Sequence, residues 1–371
     1  MAAKLRPRME EAFASKLEAI LGSINWLRGW KIEQLFGPKD VDCDILAKVP
    51  LPRGGEAELH VYCRLEMRPI AFRRMADRVA AQLNQSVSTL PVLALPNVSV
   101  RMAELCAEHR WGWYDLAGNY EVDLPGLLHL HHTGTPRVHQ EPRKSANLST
   151  PEASRVLRSL MALENLGKRW TQRSLQLDCQ PAVSLGLVNK LVKHLHEEAY
   201  LEVLPDRGFR VREHAKLLFA WRDAYRFDRH ERRNYFTLLR GKAIEGALSK
   251  LDVAANGLAA YAAFSAADFQ APHVHQPKTW LFIKKRGIAH FEQLLEAKEV
   301  DSGENMIVLI PDDDGVFYLG DRGSSGRPRM ACTNLVQTYV DLSHCGGRGE
   351  EAAEAILTQR LNSEWKVIGT Q

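Results

Sequence analysis

The sequence predicts a multi-domain α/β protein, and three observations carry the prediction. Runs with the two-residue alternation of strands occur between runs with helical spacing. A polar stretch with two prolines, Thr135-Pro-Arg-Val-His-Gln-Glu-Pro-Arg-Lys-Ser, interrupts that pattern and reads as a linker. The length of 371 residues also exceeds the ~250–300 at which one hydrophobic core stops growing. We place boundaries after residues 145 and 230, the second at the charged run Asp228-Arg-His-Glu-Arg-Arg.

In residues 1–145, Met9–Leu21 has the spacing of an amphipathic helix with acidic residues inside it. Asp42–Val49 alternates as a strand, Pro50–Gly55 turns, and Glu58–Leu65 returns. Ile70–Leu83 reads as a helix, Thr89–Leu95 as a strand and Val100–His109 as a helix. Trp113–Ala117 and Leu127–His131 are short strands, and Gly118-Asn119 between them is a turn signal.

This order resembles the restriction-endonuclease-like, PD-(D/E)xK fold: a helix, a strand bearing Asp, a returning strand bearing Glu-x-Lys, then a helix. The resemblance implies acids that hold a divalent metal and a lysine that helps activate water. Asp42 and Asp44 match the first acid. On the returning strand Glu-x-Lys falls on Tyr62-Cys63-Arg64, and a shifted reading falls on Glu66-Met67-Arg68. Both lack the lysine, and arginine does not readily give up a proton. The expectation is therefore a nuclease-like scaffold without catalysis, metal or cofactor. The alternative is a metal-dependent DNA endonuclease using Asp42, Asp44 and Glu66. Arg64, Arg68, Arg73, Arg74 and Arg78 could touch DNA, or form a solvated helix face.

Residues 146–230 concentrate positive charge. Pro151–Arg240 holds 17 Lys and Arg against 11 Asp and Glu, a difference of +6, and the remainder holds 32 against 34. Pro151 starts a helix capped by Ser149 or Thr150, with Val156, Leu157, Leu160, Leu163 and Leu166 on one stripe up to Gly167. Thr171 caps a short helix that Asp178–Pro181 breaks. Ser184 caps a longer helix reaching about Glu198. Tyr200–Leu204 and Phe209–Arg212 are strands joined by Pro205–Gly208. Two helices with a tight turn, then a hairpin, make a winged helix-turn-helix.

In the longer helix Val183, Val188, Leu191 or Val192, and Leu195 form the core stripe. Ser184, Leu185, Gly186, Asn189, Lys190 and Lys193 fall on the other side, where a major groove would lie. Thr171 and Arg173 join them from the shorter helix. Arg207 at the hairpin tip, with Arg210 and Arg212 alternating behind it, would meet backbone or minor groove. The competing reading is a structural three-helix unit with a hairpin that binds no DNA.

Val183-Ser-Leu-Gly-Leu-Val-Asn-Lys-Leu191 resembles the helix-turn-helix of AbiEi-family antitoxins, the regulator half of type IV toxin–antitoxin systems. Tyr261–Ala267, Leu335–Leu342 and Gly347–Glu354 resemble that family's C-terminal domain. The resemblance spans about residues 149–361. It implies an autorepressor on double-stranded DNA, an inverted-repeat operator read by a homodimer, and a nucleotidyltransferase-like toxin as genetic partner. About 145 residues precede the winged helix here, where the family usually has few. A scaffold acting through protein contacts is a further alternative.

In residues 231–371 Ile307–Ile310 reads as a buried strand, Leu335–Leu342 as a strand, Cys345–Gly349 as a turn and Glu350–Leu361 as a helix. Asp312–Gly315 lacks the spacing of a calcium loop, and no Lys-Ser/Thr follows Gly346–Gly349. His129, His131 and His132 read as an exposed strand end, and Trp111, Trp113 and Tyr114 as core. The six cysteines form no CxxC pair. No run approaches membrane-spanning length, and no apolar signal core follows the basic start. The expected setting is the cytoplasm.

Overall fold

The computed structural model describes residues 2–34, 43–52, 54–82, 88–135, 147–205, 208–254, 258–321 and 330–368. Its contacts divide the chain into two units, Met1–Lys144 and Ser145–Gln371.

The first unit opens with α1 (Ala2–Gly22), followed by β1 (Lys31–Gln34), β2 (Ile45–Pro50) and β3 (Glu56–Cys63). Then come α2 (Pro69–Gln82), β4 (Thr89–Leu95), α3 (Val100–Glu108), β5 (Gly112–Asp115), β6 (Tyr120–Leu124) and β7 (Leu128–His132). One seven-stranded sheet takes the strands in chain order. The pairs β3–β4 and β4–β5 are parallel, because α2 and α3 cross over between them, and the rest are antiparallel. Alternation gives β4 two apolar faces. Leu90, Val92 and Ala94 share a core with Phe13 and Leu17 of α1, whereas Leu93 and Leu95 share one with Phe72 of α2 and Leu105 of α3. Trp111, Trp113 and Tyr114 are buried in these cores.

The second unit begins with α4 (Pro151–Met161), whose cap Thr150 accepts from the Ala153 backbone N–H. A 3-10 turn over Leu163–Asn165 follows, so the helix stops short of Gly167. Next come α5 (Gln172–Asp178), α6 (Leu185–Glu197), the hairpin β8 (Leu201–Val203) and β9 (Phe209–Val211), and α7 (His214–Ala224). The remainder holds β10 (Glu231–Phe236), α8 (Lys242–Ala254), β11 (Ala259–Tyr261), α9 (Ala263–Gln270), β12 (Thr279–Ile283), α10 (Ile288–Leu295), β13 (Lys298–Glu299) and β14 (Met306–Ile310). It ends with α11 (Leu335–Leu342), α12 (Gly349–Ile356), a π turn over Leu357–Leu361 and α13 (Asn362–Ile368). A five-stranded sheet has the order β11-β12-β14-β10-β13, with only β12–β14 parallel.

No break falls near residue 230. Leu157, Leu191 and Trp221 share one hydrophobic core with Trp280, Val336 and Tyr339. The charged run expected to mark a boundary makes short-range pairs instead: Arg226 with Asp228 at 2.7 Å and Arg233 with Glu231 at 2.6 Å. His230 in that run turns inward, where its Nε2 lies 2.7 Å from the Tyr225 hydroxyl.

Leu335–Leu342 is a helix, not the expected strand. Asn334 caps it by accepting from the Gln337 N–H at 2.9 Å. Seven of its residues, Val336–Leu342, are buried, so no polar face betrays the helical period. Gly346–Arg348 accordingly lies in the turn between α11 and α12.

Candidate nucleic-acid interface

The local sequence dictates the helix-turn-helix. Thr171 accepts from Ser174 N–H, and the Ser174 hydroxyl accepts from Thr171 N–H at 2.9 Å, so two orphan donors of the helix start are met. Ser184 caps α6 by accepting from Leu187 N–H at 3.2 Å. Between them Gln176 donates to the Val183 carbonyl at 3.1 Å, pinning the turn to α5. Trp170 and Phe209 exchange backbone hydrogen bonds of 2.8 Å, an isolated bridge that ties the residue before α5 to the hairpin.

Val188, Leu191, Val192 and Leu195 hold α6 in the core. Ser184, Leu185, Gly186, Asn189, Lys190 and Lys193 are exposed, and so are Thr171 and Arg173 of the α5 side. These residues form one surface, since Gln172 of α5 donates to Asn189 Oδ1 at 3.3 Å. Arg173 donates to Gln176 at 2.7 Å along its own helix. Gly186 has nothing within 4 Å of the position a Cβ would take, so the start of α6 is open to close approach.

Between Thr171 and His196 no described exposed residue is an acid, and α6 ends at the half-buried Glu197. From Thr171 to His196 the only acid is Asp178, and it is turned inward. Asp178 accepts from Lys168 at 2.9 Å, from Asn165 at 3.1 Å and from the Tyr318 hydroxyl. Burial pushes its carboxyl up, but the bonds from Tyr318 and Lys168 outweigh it and hold the group below its ordinary value. A groove of about 500 Å³ runs between α6 and the hairpin, lined by Gln172, Lys193, His196 and Val203.

Arg210 and Arg212 share one face of the hairpin, as their alternation predicts. Phe209 and Val203 line the groove facing α6, so Arg210 alternates to the opposite sheet face, and Arg212 has the same parity. Arg210 donates to Glu202 across the strand pair at 2.8 Å. Arg207 lies outside the described residues.

In the first unit, Asp42 also lies outside the described residues. Asp44 precedes β2, and its Oδ2 accepts from Cys63 N–H at 2.8 Å and from Arg64 Nη1 at 2.7 Å. The arginine that stands at the position of the motif's lysine is thus bound to the acid. Glu66 is exposed in the turn after β3. Among the described residues no group of three His, Cys, Asp or Glu could hold a metal ion. Arg73 belongs to neither DNA nor a solvated face: it is buried and pairs with Glu108 at 3.4 Å. His129 stacks on His131 at 6.3 Å at the exposed end of β7.

In the second unit, Asp313 is a buried turn cap that accepts from Gly315 N–H at 2.9 Å and pairs with Arg155. The six cysteines are free thiols. Among the described residues no helix is long and apolar enough to cross a membrane. Comparison with protein-family models, curated proteins and solved structures gave no match.

Proposed function

We propose that this chain is a sequence-specific double-stranded-DNA-binding transcriptional regulator that reads the major groove with α6. The observation that carries the reading is the exposed face formed by Thr171, Arg173 and Ser184 to Lys193, which holds two lysines, an arginine and no acid, backed by an apolar buried face. Phosphate attraction requires such a sign of charge, and base reading requires side chains free of the core. Asn189 is placed to pair with adenine, Lys190 and Lys193 to meet guanine or phosphate, and Leu185 to meet a thymine methyl group. Ser184 and Gly186 let the helix start come close to the duplex. Thr171 and Arg173 flank it on the backbone.

The AbiEi resemblance extends this to autorepression from an inverted repeat by a homodimer, with a nucleotidyltransferase-like toxin encoded nearby. For the first unit we propose a nuclease-like scaffold that does not cleave. Its order of helix, antiparallel strands, helix and parallel strand supports the likeness, and the Arg64–Asp44 bond supports the loss of chemistry.

Fluorescence anisotropy with the gene's own upstream region and a scrambled duplex, at rising salt, tests the regulator. Tighter, salt-sensitive binding to the upstream region is expected. Equal affinity for both duplexes sinks the sequence-specific claim.

A further inference from the structure

Base reading asks more of Asn189 than exposure. Adenine presents a donor at N6 beside an acceptor at N7, so a carboxamide pairs with it only when it lies in the plane of the base. A freely turning side chain meets that condition part of the time and loses entropy when it does.

The Asn189 carboxamide is already held from the other helix. Gln172 Nε2 donates to Asn189 Oδ1 at 3.3 Å, joining residues 17 apart in the chain. Among the described residues the Asn189 side chain has no other hydrogen-bond partner. The bond leaves Oδ1 a second lone pair and Nδ2 both its hydrogens, which are the acceptor and the donor that adenine requires.

The place of Gln172 is itself fixed. It is the first residue of α5 and half-buried, directly after the cap Thr171. The paired bonds between Thr171 and Ser174 hold that helix start. One turn further on, Gln176 donates to the Val183 carbonyl and ties α5 to the approach to α6. The donor that meets Asn189 therefore stands on a braced backbone and not on a loop.

We propose that Gln172 is a positioning residue for base reading: it sets the plane of the Asn189 carboxamide for adenine and does not bind the duplex itself. This role rests on the regulator reading of α6. A Gln172 that gripped phosphate would act on every sequence alike, and one that only packed α5 on α6 would act on stability.

The probes are the gene's own upstream duplex and copies of it in which one A·T pair at a time is changed to G·C. Anisotropy compares the full-length parent protein with Gln172→Ala, Asn189→Ala and the double variant. The pair that Asn189 reads is the one whose change costs the parent about tenfold and costs Asn189→Ala nothing. At that pair Gln172→Ala should discriminate about fivefold less than the parent, with its affinity for the changed duplex, its salt slope and its melting temperature unaltered. In the Asn189→Ala background the same substitution should change nothing. Without DNA, proton–nitrogen NMR should show the Asn189 side-chain amide moving in Gln172→Ala. The absence of such an A·T pair, a Gln172→Ala loss equal on every duplex, a loss that persists when residue 189 is alanine, or an unmoved amide would each overturn the proposal. A parent protein that binds every duplex alike would overturn the regulator reading and the role of Gln172 with it. Discrimination by the parent beside additive losses would overturn the role alone.

Discussion

Arg158 in α4 donates its Nε hydrogen to Oε1 of Gln337 in α11 at 2.5 Å, and both side chains are shut from water. Gln337 carries the bonding on, donating to the Tyr225 hydroxyl at 2.9 Å and to Asp341 Oδ1 at 2.7 Å. The guanidinium also lies 5.5 Å over the Trp221 ring. Removing one member of a buried polar set strands the others, at about 3–5 kcal/mol. Arg158→Ala should therefore destabilise α4 and α11 together. A urea titration followed by hydrogen exchange should show both helices opening in one transition. Loss of α4 alone, with α11 still protected, would contradict this coupling.

The stability of the second unit should depend on pH through Asp341. Burial pushes this carboxyl from 3.8 up to about 7, against the opposing bond from Gln337 and the charge of Arg158. The folded group keeps its proton where the unfolded chain has already released it. Its contribution is full below 3.8 and is lost as pH rises through about 7. Asp341→Asn ends the titration and keeps an oxygen for Gln337 and Tyr225. The variant should gain on the parent protein with rising pH, by on the order of 4 kcal/mol across the window. Denaturation of both proteins at matched pH values measures it. Burial holds His230 down to about 4, and because both proteins carry it, it cancels in the comparison.

On the reading face, Asn189 and Lys193 should fail in different ways. Asn189→Ala removes the amide we propose pairs with a base and should cost about 1–3 kcal/mol on the preferred duplex alone. Lys193→Ala should weaken all duplexes alike and lower the salt slope by about 1. Anisotropy on two sequences over a salt series separates these outcomes.

In the first unit, Asp44 should matter to folding and not to cleavage. Asp44→Ala leaves the Cys63 N–H and the Arg64 guanidinium without their shared acceptor, a loss of about 1–3 kcal/mol. Plasmid incubated with the parent protein and magnesium or manganese should stay intact. Cleavage that Asp44→Ala abolishes would refute the scaffold reading.

Gly315 should not tolerate a side chain. A Cβ there would sit 2.5 Å from Asp313 Oδ1 and 2.7 Å from Arg158 Nη1. Gly315→Ala should cost about 1–3 kcal/mol by overpacking, visible as a lower denaturation midpoint.

The helix starts were legible because their chemistry is local. Thr150, Thr171 and Ser184 each precede a run with helical spacing, and each caps the helix it announced. The buried and exposed sides of α6 followed from period alone, since one side meets water. Residues Leu335–Leu342 were not legible that way. Val336, Thr338 and Val340 look like strand residues, and burial on every side erased the period, leaving the cap Asn334 as the one usable signal. The strand β6 has the length of β7 and was not read. The charged run at Phe227–Arg233 looked like a linker because sequence does not show that its charges pair with each other. The facing of Arg210 followed from strand parity, but which face meets α6 is set by packing.

The core shared by α4, α7 and α11 decides how this chain can be taken apart. Trp221 is fully buried and donates to the Ser154 hydroxyl at 3.1 Å, under a roof that includes Val336 and Tyr339. A fragment cut at residue 230 would bare that roof's underside to water. The α5–α6 unit is thus no portable cassette: grafts, deletions and fusions that seek to keep its fold must carry the C-terminal helices along with it.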